Sequence, residues 1–278
     1  MIAVRACSGF DELEACVQLQ VHTWGYDASD VLPRKAFLLA QKIGGQVIGA
    51  FDTDMEDSPP QGGPDSLVGF AMAWPGIKSG SGGPRPYLHS HMLAVRESYR
   101  NRGLGVRLKL EQRREALSRG IFYMEWTFDP LEIKNAFLNI HKLGATVSRY
   151  EVNFYGVSSS RLQGGLPTDR LVAEWRLDSA SIDAALDGRP AAVAHSVEGE
   201  IVERIRVPAS ISQWKASEAG RGRALALQLE IRSKFQQAFS QGLAVVGFAR
   251  DGEGNGVFEL GFAARPQIAR TPEEPENL

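Results

Sequence analysis

The segment Arg100-Asn-Arg-Gly-Leu-Gly105 is the part of this chain whose residue types and spacing point most directly to chemistry. It lies between an apolar run ending at Val95 and an amphipathic stretch starting at Leu104, which predicts a strand, a short loop and a helix. Gly103 and Gly105 let the backbone approach a ligand and take unusual dihedrals. The free N–H groups at a helix start point outward, and the helix dipole favours an anion there. Arg100 and Arg102 add fixed positive charge with donors suited to phosphate. The bland alternative is a basic, glycine-capped loop without a ligand. Coincidence of glycines, arginines and context favours a diphosphate site. Two rival phosphate motifs fail: a dinucleotide fingerprint needs a small residue where Leu108 stands, and a Walker loop needs a Gly-Lys-Ser/Thr that is absent.

A second group of candidates sits on the flanking strands. His89 and His91 are two apart, so on a strand they share a face. Glu125 is a charged residue inside the otherwise apolar Met124-Glu-Trp-Thr127, which invites a role as a base or an amine-binding carboxylate. Against these stand a satisfied histidine and an ion-paired or edge-facing glutamate. Asp129 precedes Pro130, and helix capping is its first expected job. Trp24, Trp74, Trp126 and Phe128 are candidates to line a pocket, although aromatics there more often pack a core.

Periodicity gives the elements that must position these residues. Strands are expected at Ile2–Ala6, Gly45–Asp52, Ser66–Trp74, Tyr87–Val95, Ile121–Phe128, Ala145–Tyr155 and Asp169–Leu177. Helices are expected at Asp11–Val21, from Pro33 to about Ile43, Leu104–Arg119 with Gly120 as C-cap, and Leu131–Leu143. Three consecutive strands predict an antiparallel meander, and the strand–helix–strand units after it predict a parallel pair. The fold class is therefore α/β with a mixed sheet. Residues 1–178 form the main unit and 179–199 a linker. Residues 200–264 form a small β-α-β-β appendage (strand Glu200–Val207, helix Ser212–Ser240, hairpin Leu243–Phe248 and Gly256–Phe262). Residues 265–278 are a disordered tail. Pocket walls are expected from the loops Asp52–Asp65 and Pro75–Pro86.

Bulk properties narrow the class. The 278 residues are 43% apolar and 23% charged with a net charge of −2, which excludes a generally basic nucleic-acid binder. No apolar run is long enough for a membrane helix. The N-terminus lacks a signal-peptide pattern, and two cysteines, Cys7 and Cys16, suit a reducing compartment, so a cytoplasmic location is expected. Both cysteines lie early, away from the glycine loop, and read as packing residues. No metal is expected, because His22, His141 and His195 are far apart in sequence.

Arg100, Gly103 and Gly105 match Gln/Arg-x-x-Gly-x-Gly/Ala, and here the sequence resembles the GNAT superfamily of acyl-CoA N-acyltransferases. The order of elements fits over about residues 1–178. The texts His89-Ser-His-Met-Leu-Ala-Val95, Glu125-Trp-Thr-Phe-Asp-Pro130, Asn135-Ala-Phe-Leu-Asn139 and Gly165-Leu-Pro-Thr-Asp169 are similar to a group of predicted GNAT acetyltransferases without a firmly assigned substrate, whose members carry a C-terminal appendage. The resemblance implies a GNAT-like fold and acetyl-CoA as co-substrate. Binding would involve backbone groups of Leu93, Ala94 and Val95, the loop Arg100, Asn101, Arg102, Gly103, Leu104, Gly105 and Val106, and the amide of Asn135. It also implies an amine acceptor, on a small molecule or peptide, and direct attack. Lys142-Leu-Gly-Ala145 resembles the family's Lys-x-Gly helix end. One departure stands out: where many members have a Tyr acting as acid toward the leaving thiolate, this chain has Ile140, next to His141.

Acyl transfer from a thioester to an amine needs a base, a stabilised carbonyl oxygen and, optionally, an acid for the thiolate. The expected assignments are His91 or Glu125 as base and His141 as a substitute acid. A non-catalytic acyl-CoA sensor and a transferase for a longer acyl chain are the alternatives. The appendage is expected to cover the acceptor side or to make a homodimer contact.

Overall fold

The computed structural model describes residues 1–55, 59–79, 83–179 and 201–262. Most of the linker and all of the tail expected from the sequence lie outside them, as does Glu200. Ten strands form one mixed sheet in the order β1-β2-β3-β4-β5-β7-β6-β9-β10-β8. They are β1 (Ile2–Ala6), β2 (Gln46–Asp52), β3 (Leu67–Lys78), β4 (Arg85–Val95), β5 (Tyr123–Phe128), β6 (Thr146–Glu151), β7 (Arg170–Arg176), β8 (Glu203–Val207), β9 (Leu243–Arg250) and β10 (Gly256–Phe262). Among the described residues six α-helices accompany them: α1 (Gly9–Trp24), α2 (Arg34–Lys42), α3 (Leu104–Ser118), α4 (Ile133–Ala136), α5 (Ile211–Ala216) and α6 (Glu218–Ser240).

The meander is present, with β1 to β4 pairing antiparallel in sequence order. The expected parallel pair is β4 with β5, joined by α3 as the crossover. No second parallel pair forms, because β7 inserts between β5 and β6 and runs antiparallel to both. The loop expected over Pro75–Pro86 is strand at both its ends: Pro75 pairs with Leu88 and Lys78 with Arg85. Proline fits a strand where its missing N–H is not needed by the ladder. The helix expected at Leu131–Leu143 is α-helical only to Ala136, and Phe137–Lys142 is a π-helix. Leu143 N–H reaches back five residues to the Leu138 carbonyl. The helix expected at Ser212–Ser240 breaks into α5 and α6 at Ser217, whose side chain accepts from Gly220 N–H as an N-cap.

The C-terminal strands lengthen the same sheet, since β9 pairs antiparallel with β6 at Val147 and Val245. One apolar cluster runs through both parts, from Leu88, Met124 and Trp175 to Ile205, Phe235 and Phe258. Phe235 is fully buried on α6 and stacks on Tyr150 of β6, with Phe258 edge-on at 5.2 Å. A residue that seals this junction holds the α6 packing to the rest of the sheet. Phe235→Ala is expected to lower unfolding free energy by about 3–5 kcal/mol. Urea denaturation followed by tryptophan fluorescence should show the lower midpoint, with one shared transition for both parts.

Candidate active site

Strands β4 and β5 pair only at Leu88 with Met124 and His89 with Glu125. Beyond that point they separate, so the β5-facing edge of Ser90–Val95 has no strand partner. A strand edge left open in this way offers backbone N–H and C=O groups to a ligand. The resulting V opens into a cavity of about 370 Å3. Ser90–Leu93, Lys109, Trp126–Asp129, Asn135, Leu138 and Asn139 line its inner part. Trp24, Tyr26 and Asp30 on one side and Tyr155–Arg170 positions on the other form its mouth. Those two segments are tied together: Asp30 accepts from both the N–H and the hydroxyl of Ser159, at 2.8 and 2.7 Å. The mouth is thus built from residues 24–30 and 155–170, and the described residues of the expected walls Asp52–Asp65 and Pro75–Pro86 line no part of it. Of the expected aromatics, Trp24, Trp126 and Phe128 line the cavity and Trp74 does not.

The glycine loop sits where β4 leads into α3. Gly103 takes φ 76° and Asn101 φ 61°, both left-handed, which turns the chain sharply into the helix. A side chain at Gly105 would lie 3.4 Å from Leu138 and 3.7 Å from Leu93, so glycine keeps the helix start close to the cleft. The first intrahelical bond runs from Arg107 N–H to the Gly103 carbonyl, which leaves the N–H groups of Leu104, Gly105 and Val106 free of helical partners. Arg100 donates to the Val95 carbonyl at 3.2 Å, and Arg102 lies over the Tyr99 ring. Leu93 and Asn135 line the cavity, while Ala94 and Val95 pack into the apolar clusters beside the strand.

The three expected catalytic side chains are not brought together. His91 lines the cavity, and it is the extra residue of a β-bulge, since Met92 pairs with Met72 and Ser90 with Ala73. Bulges re-aim side chains in this way. Its ring faces Tyr155 edge-on at 6.4 Å, and Tyr155 shares a hydrogen bond with Thr127 at 2.9 Å. Burial, then the neighbouring His89, pushes the His91 imidazole down to about 4. Glu125 lies at the apex, outside the cavity lining. It meets Lys78 of β3, Arg149 of β6 at 2.8 Å, and His89 of β4 at 3.8 Å. Burial alone would raise its carboxyl, but hydrogen bonds from His89 and Lys78 and the charges of Lys78 and Arg149 hold it down to about 2. His141 stacks on Phe137 at 4.4 Å and bonds the Phe248 backbone on β9. It faces the C-terminal strands and lines no part of the cavity. Ile140 is 4% exposed and packs in the core, so that position supplies no polar group either.

Lys109 is a cavity residue that the sequence did not single out. Lys109 shares the inner stripe of α3 with Gln112 and Ala116, at spacings of three and four, and is 3% exposed. Its Nζ donates to Ser90 Oγ at 2.7 Å and lies 3.5 Å from the centre of the Trp126 ring. Ser90 passes its own proton to Gln112 Oε1 at 3.0 Å. Among the described residues no carboxylate pairs with Lys109, and burial pushes its ammonium well below the usual lysine range. Trp126 Nε1 and Asn139 Nδ2, both in cavity-lining residues, are buried without a hydrogen-bond partner. Each such orphan costs about 1–3 kcal/mol. The only sequence signal was position: a lysine three and seven residues before buried Gln112 and Ala116.

The C-terminal part braces the mouth. Lys215 of α5 is buried and donates to Asp129 at 2.8 Å and Glu132 at 2.9 Å. Arg232 of α6 grips Asp169 through two bonds of 2.8 and 3.0 Å, and Gln228 holds the Pro167 carbonyl.

No family model matches this sequence, and no curated protein does. Solved structures do match. Arabidopsis thaliana NAA60, in complex with acetyl-CoA, aligns with a TM-score of 0.51 and 17% identity over 63% of this chain and 98% of its own. The ribosomal-protein-S18-alanine N-acetyltransferase of Escherichia coli aligns with a TM-score of 0.47 and 14% identity, over 65% and 96%. The splayed β4–β5 pair, the glycine loop at the start of α3 and the NAA60 alignment agree: this chain has the GNAT acyl-CoA N-acyltransferase fold.

Proposed function

We propose that this protein transfers an acyl group from an acyl-coenzyme A to an amine by direct attack, with acetyl-CoA as the simplest donor. The observation that carries this reading is the nearness of the glycine loop to the β4–β5 cleft: Arg100–Val106 do not line the cavity themselves, but a side chain at Gly105 would touch Leu138 and Leu93, which do. An anion held at the start of α3 has an open strand edge beside it, leading to a closed apex. A long ligand with a diphosphate at one end and a reactive group at the other fits that shape. NAA60 was solved with acetyl-CoA, in the same fold.

In this reading the N–H groups of Leu104, Gly105 and Val106, with Arg100, Asn101, Arg102 and Gly103, hold the diphosphate. Backbone groups of Leu93, Ala94 and Val95 bond the pantetheine arm, and the Asn135 amide reaches it from the facing helix. The acceptor enters between Trp24–Asp30 and Tyr155–Arg170. His91 is the cavity-lining base; it takes the amine proton directly or through a water, the N–C bond forms, and the C–S bond breaks with its electron pair on sulfur. Backbone N–H groups near Leu93 stabilise the carbonyl oxygen. Glu125, outside the cavity lining and engaged by Lys78 and Arg149, acts by pinning the apex. A second reading, an acyl-CoA sensor without turnover, rests on Ile140 and His141 both lying away from the cavity. Release of free thiol in the presence of an amine panel separates the two.

Three outcomes are expected. Gly103→Val forces a β-branched residue into a left-handed backbone and should weaken CoA binding at least about tenfold by calorimetry; unchanged affinity would contradict the diphosphate site. His91→Ala should reduce kcat about 100-fold or more with little change in fold. The half-buried His91 also links stability to acid. Its folded value lies below the unfolded 6.5, so the unfolded chain binds more protons between pH 6.5 and about 4. Stability should therefore fall across that window by up to about 3 kcal/mol, and His91→Gln should flatten that slope in urea titrations at several pH values.

A further inference from the structure

The apex of the cleft holds a lysine without a counter-charge among the described residues and two hydrogen-bond donors without acceptors. Lys109 Nζ has Ser90 Oγ and the Trp126 ring face as neighbours and, among the described residues, no carboxylate. Trp126 Nε1 and Asn139 Nδ2 are orphaned, and the three side chains are 3%, 4% and 2% exposed. All three line the same cavity. They come from three elements, α3, β5 and the π-turn after α4, so local sequence does not force them together. Burying a lysine without a counter-charge is unfavourable, and a methionine or leucine at this inner-stripe position would pack without that penalty. The arrangement makes sense when a bound group brings a negative charge and several acceptor lone pairs.

The position of the site selects which group that is. Lys109 lies four residues along α3 from Gly105, about 6 Å of helix rise beyond the diphosphate loop. It contacts Ser90, the first β4 residue beyond the last paired position, His89. A ligand threaded from the loop along the open edge of β4 reaches its acyl end here. An acetyl methyl would leave Lys109, Trp126 and Asn139 unpaired. A carboxylate has two oxygens and about four lone-pair directions, enough for all three donors.

We propose that Lys109, with Trp126 Nε1 and Asn139 Nδ2, forms an acyl-recognition subsite for a carboxylate, and that the donor this protein prefers is an acyl-CoA whose acyl group ends in a carboxylate, of the succinyl or malonyl kind. This rests on the acyl-CoA reading above and names its acyl class. Transfer balances as before: the amine nitrogen bonds the thioester carbon, the C–S electron pair leaves on sulfur, the amine proton goes to His91, and the distal carboxylate stays paired with Lys109 throughout. The product is an N-acyl amide with a free carboxylate.

The test is calorimetric and kinetic on the full chain, with succinyl-CoA, butyryl-CoA, acetyl-CoA and free CoA. Butyryl-CoA matches succinyl-CoA in chain length and lacks its carboxylate. The wild type should bind succinyl-CoA roughly 10- to 100-fold tighter than butyryl-CoA, the range of a charge-assisted hydrogen bond lost. Lys109→Met should erase that preference and leave the affinity for free CoA within about twofold. It should also fold, since it removes an uncompensated buried cation. Lys109→Arg should keep part of the preference. Equal or better binding of butyryl-CoA or acetyl-CoA by the wild type overturns the proposal without needing any variant. An equal loss of kcat with every donor in Lys109→Met, with affinities unchanged, overturns it too and moves Lys109 to the leaving sulfur. Failure of free CoA itself to bind rejects the acyl-CoA reading and the subsite with it, whereas CoA binding without acyl preference rejects the subsite alone.

Discussion

The two-residue contact between β4 and β5 is the constraint on which the rest depends. A sheet gains by pairing strands along their length, so stopping after Leu88 and His89 leaves several backbone groups of β4 without a ladder partner. The structure fixes the stopping point with charge. Glu125 sits at the last paired position, and it gathers Lys78 from β3, His89 from β4 and Arg149 from β6, while Arg149 and Tyr123 also reach Glu174 on β7. Five strands are thereby tied at the apex. Past it, the bulge at His91 on β4 and the polar side chains of Ser90 and Lys109 replace apolar pairing, and the strands part.

The cleft that results lies beside the first turns of α3 and is bordered at its mouth by two loops. Neither loop is held by the main sheet alone. Asp30 and Ser159 tie the loops to each other, and the C-terminal helices hold the 155–170 loop through Arg232 with Asp169 and Gln228 with Pro167. Lys215 reaches between Asp129 and Glu132, which line the cavity. Removing one partner of such a buried pair is costly, on the order of 3–5 kcal/mol. The C-terminal part is therefore coupled to the mouth of the cleft by specific side chains as well as by the sheet extension through β9.

Stability and binding are set against each other inside the cleft. The outer clusters are apolar and well paired, with Phe51, Phe70 and Trp175 fully buried. The inner wall instead buries a lysine, an unpaired indole N–H and an unpaired amide, and it includes a π-turn, a form that recurs at functional positions. These are local violations of good packing chemistry in a chain that observes it elsewhere, and they coincide with the cavity between the splayed strands.

The sequence by itself determined what short-range backbone chemistry decides. Gly103 and Gly105 between an apolar run and an amphipathic one specify a turn into a helix start, and that loop is where the sequence reading placed it. Strands β1 and β10, and the bounds of α3 within a residue, follow from periodicity and glycine caps. Tertiary structure alone decided what depends on distant partners. Pro75–Lys78 became strand because Tyr87 and Leu88 pair with that segment, and the mouth moved from the loops 52–65 and 75–86 to 24–30 and 155–170 because Ser159 meets Asp30. Glu125 and Lys109 show the reason most plainly. Both are charged residues at interior-facing positions, and sequence gives their type but not their surroundings. Only the long-range register of β3, β4 and β6 supplies Glu125 with its cations, and only the packing of α3 on the splayed strands leaves Lys109 buried beside the cleft with no carboxylate partner among the described residues.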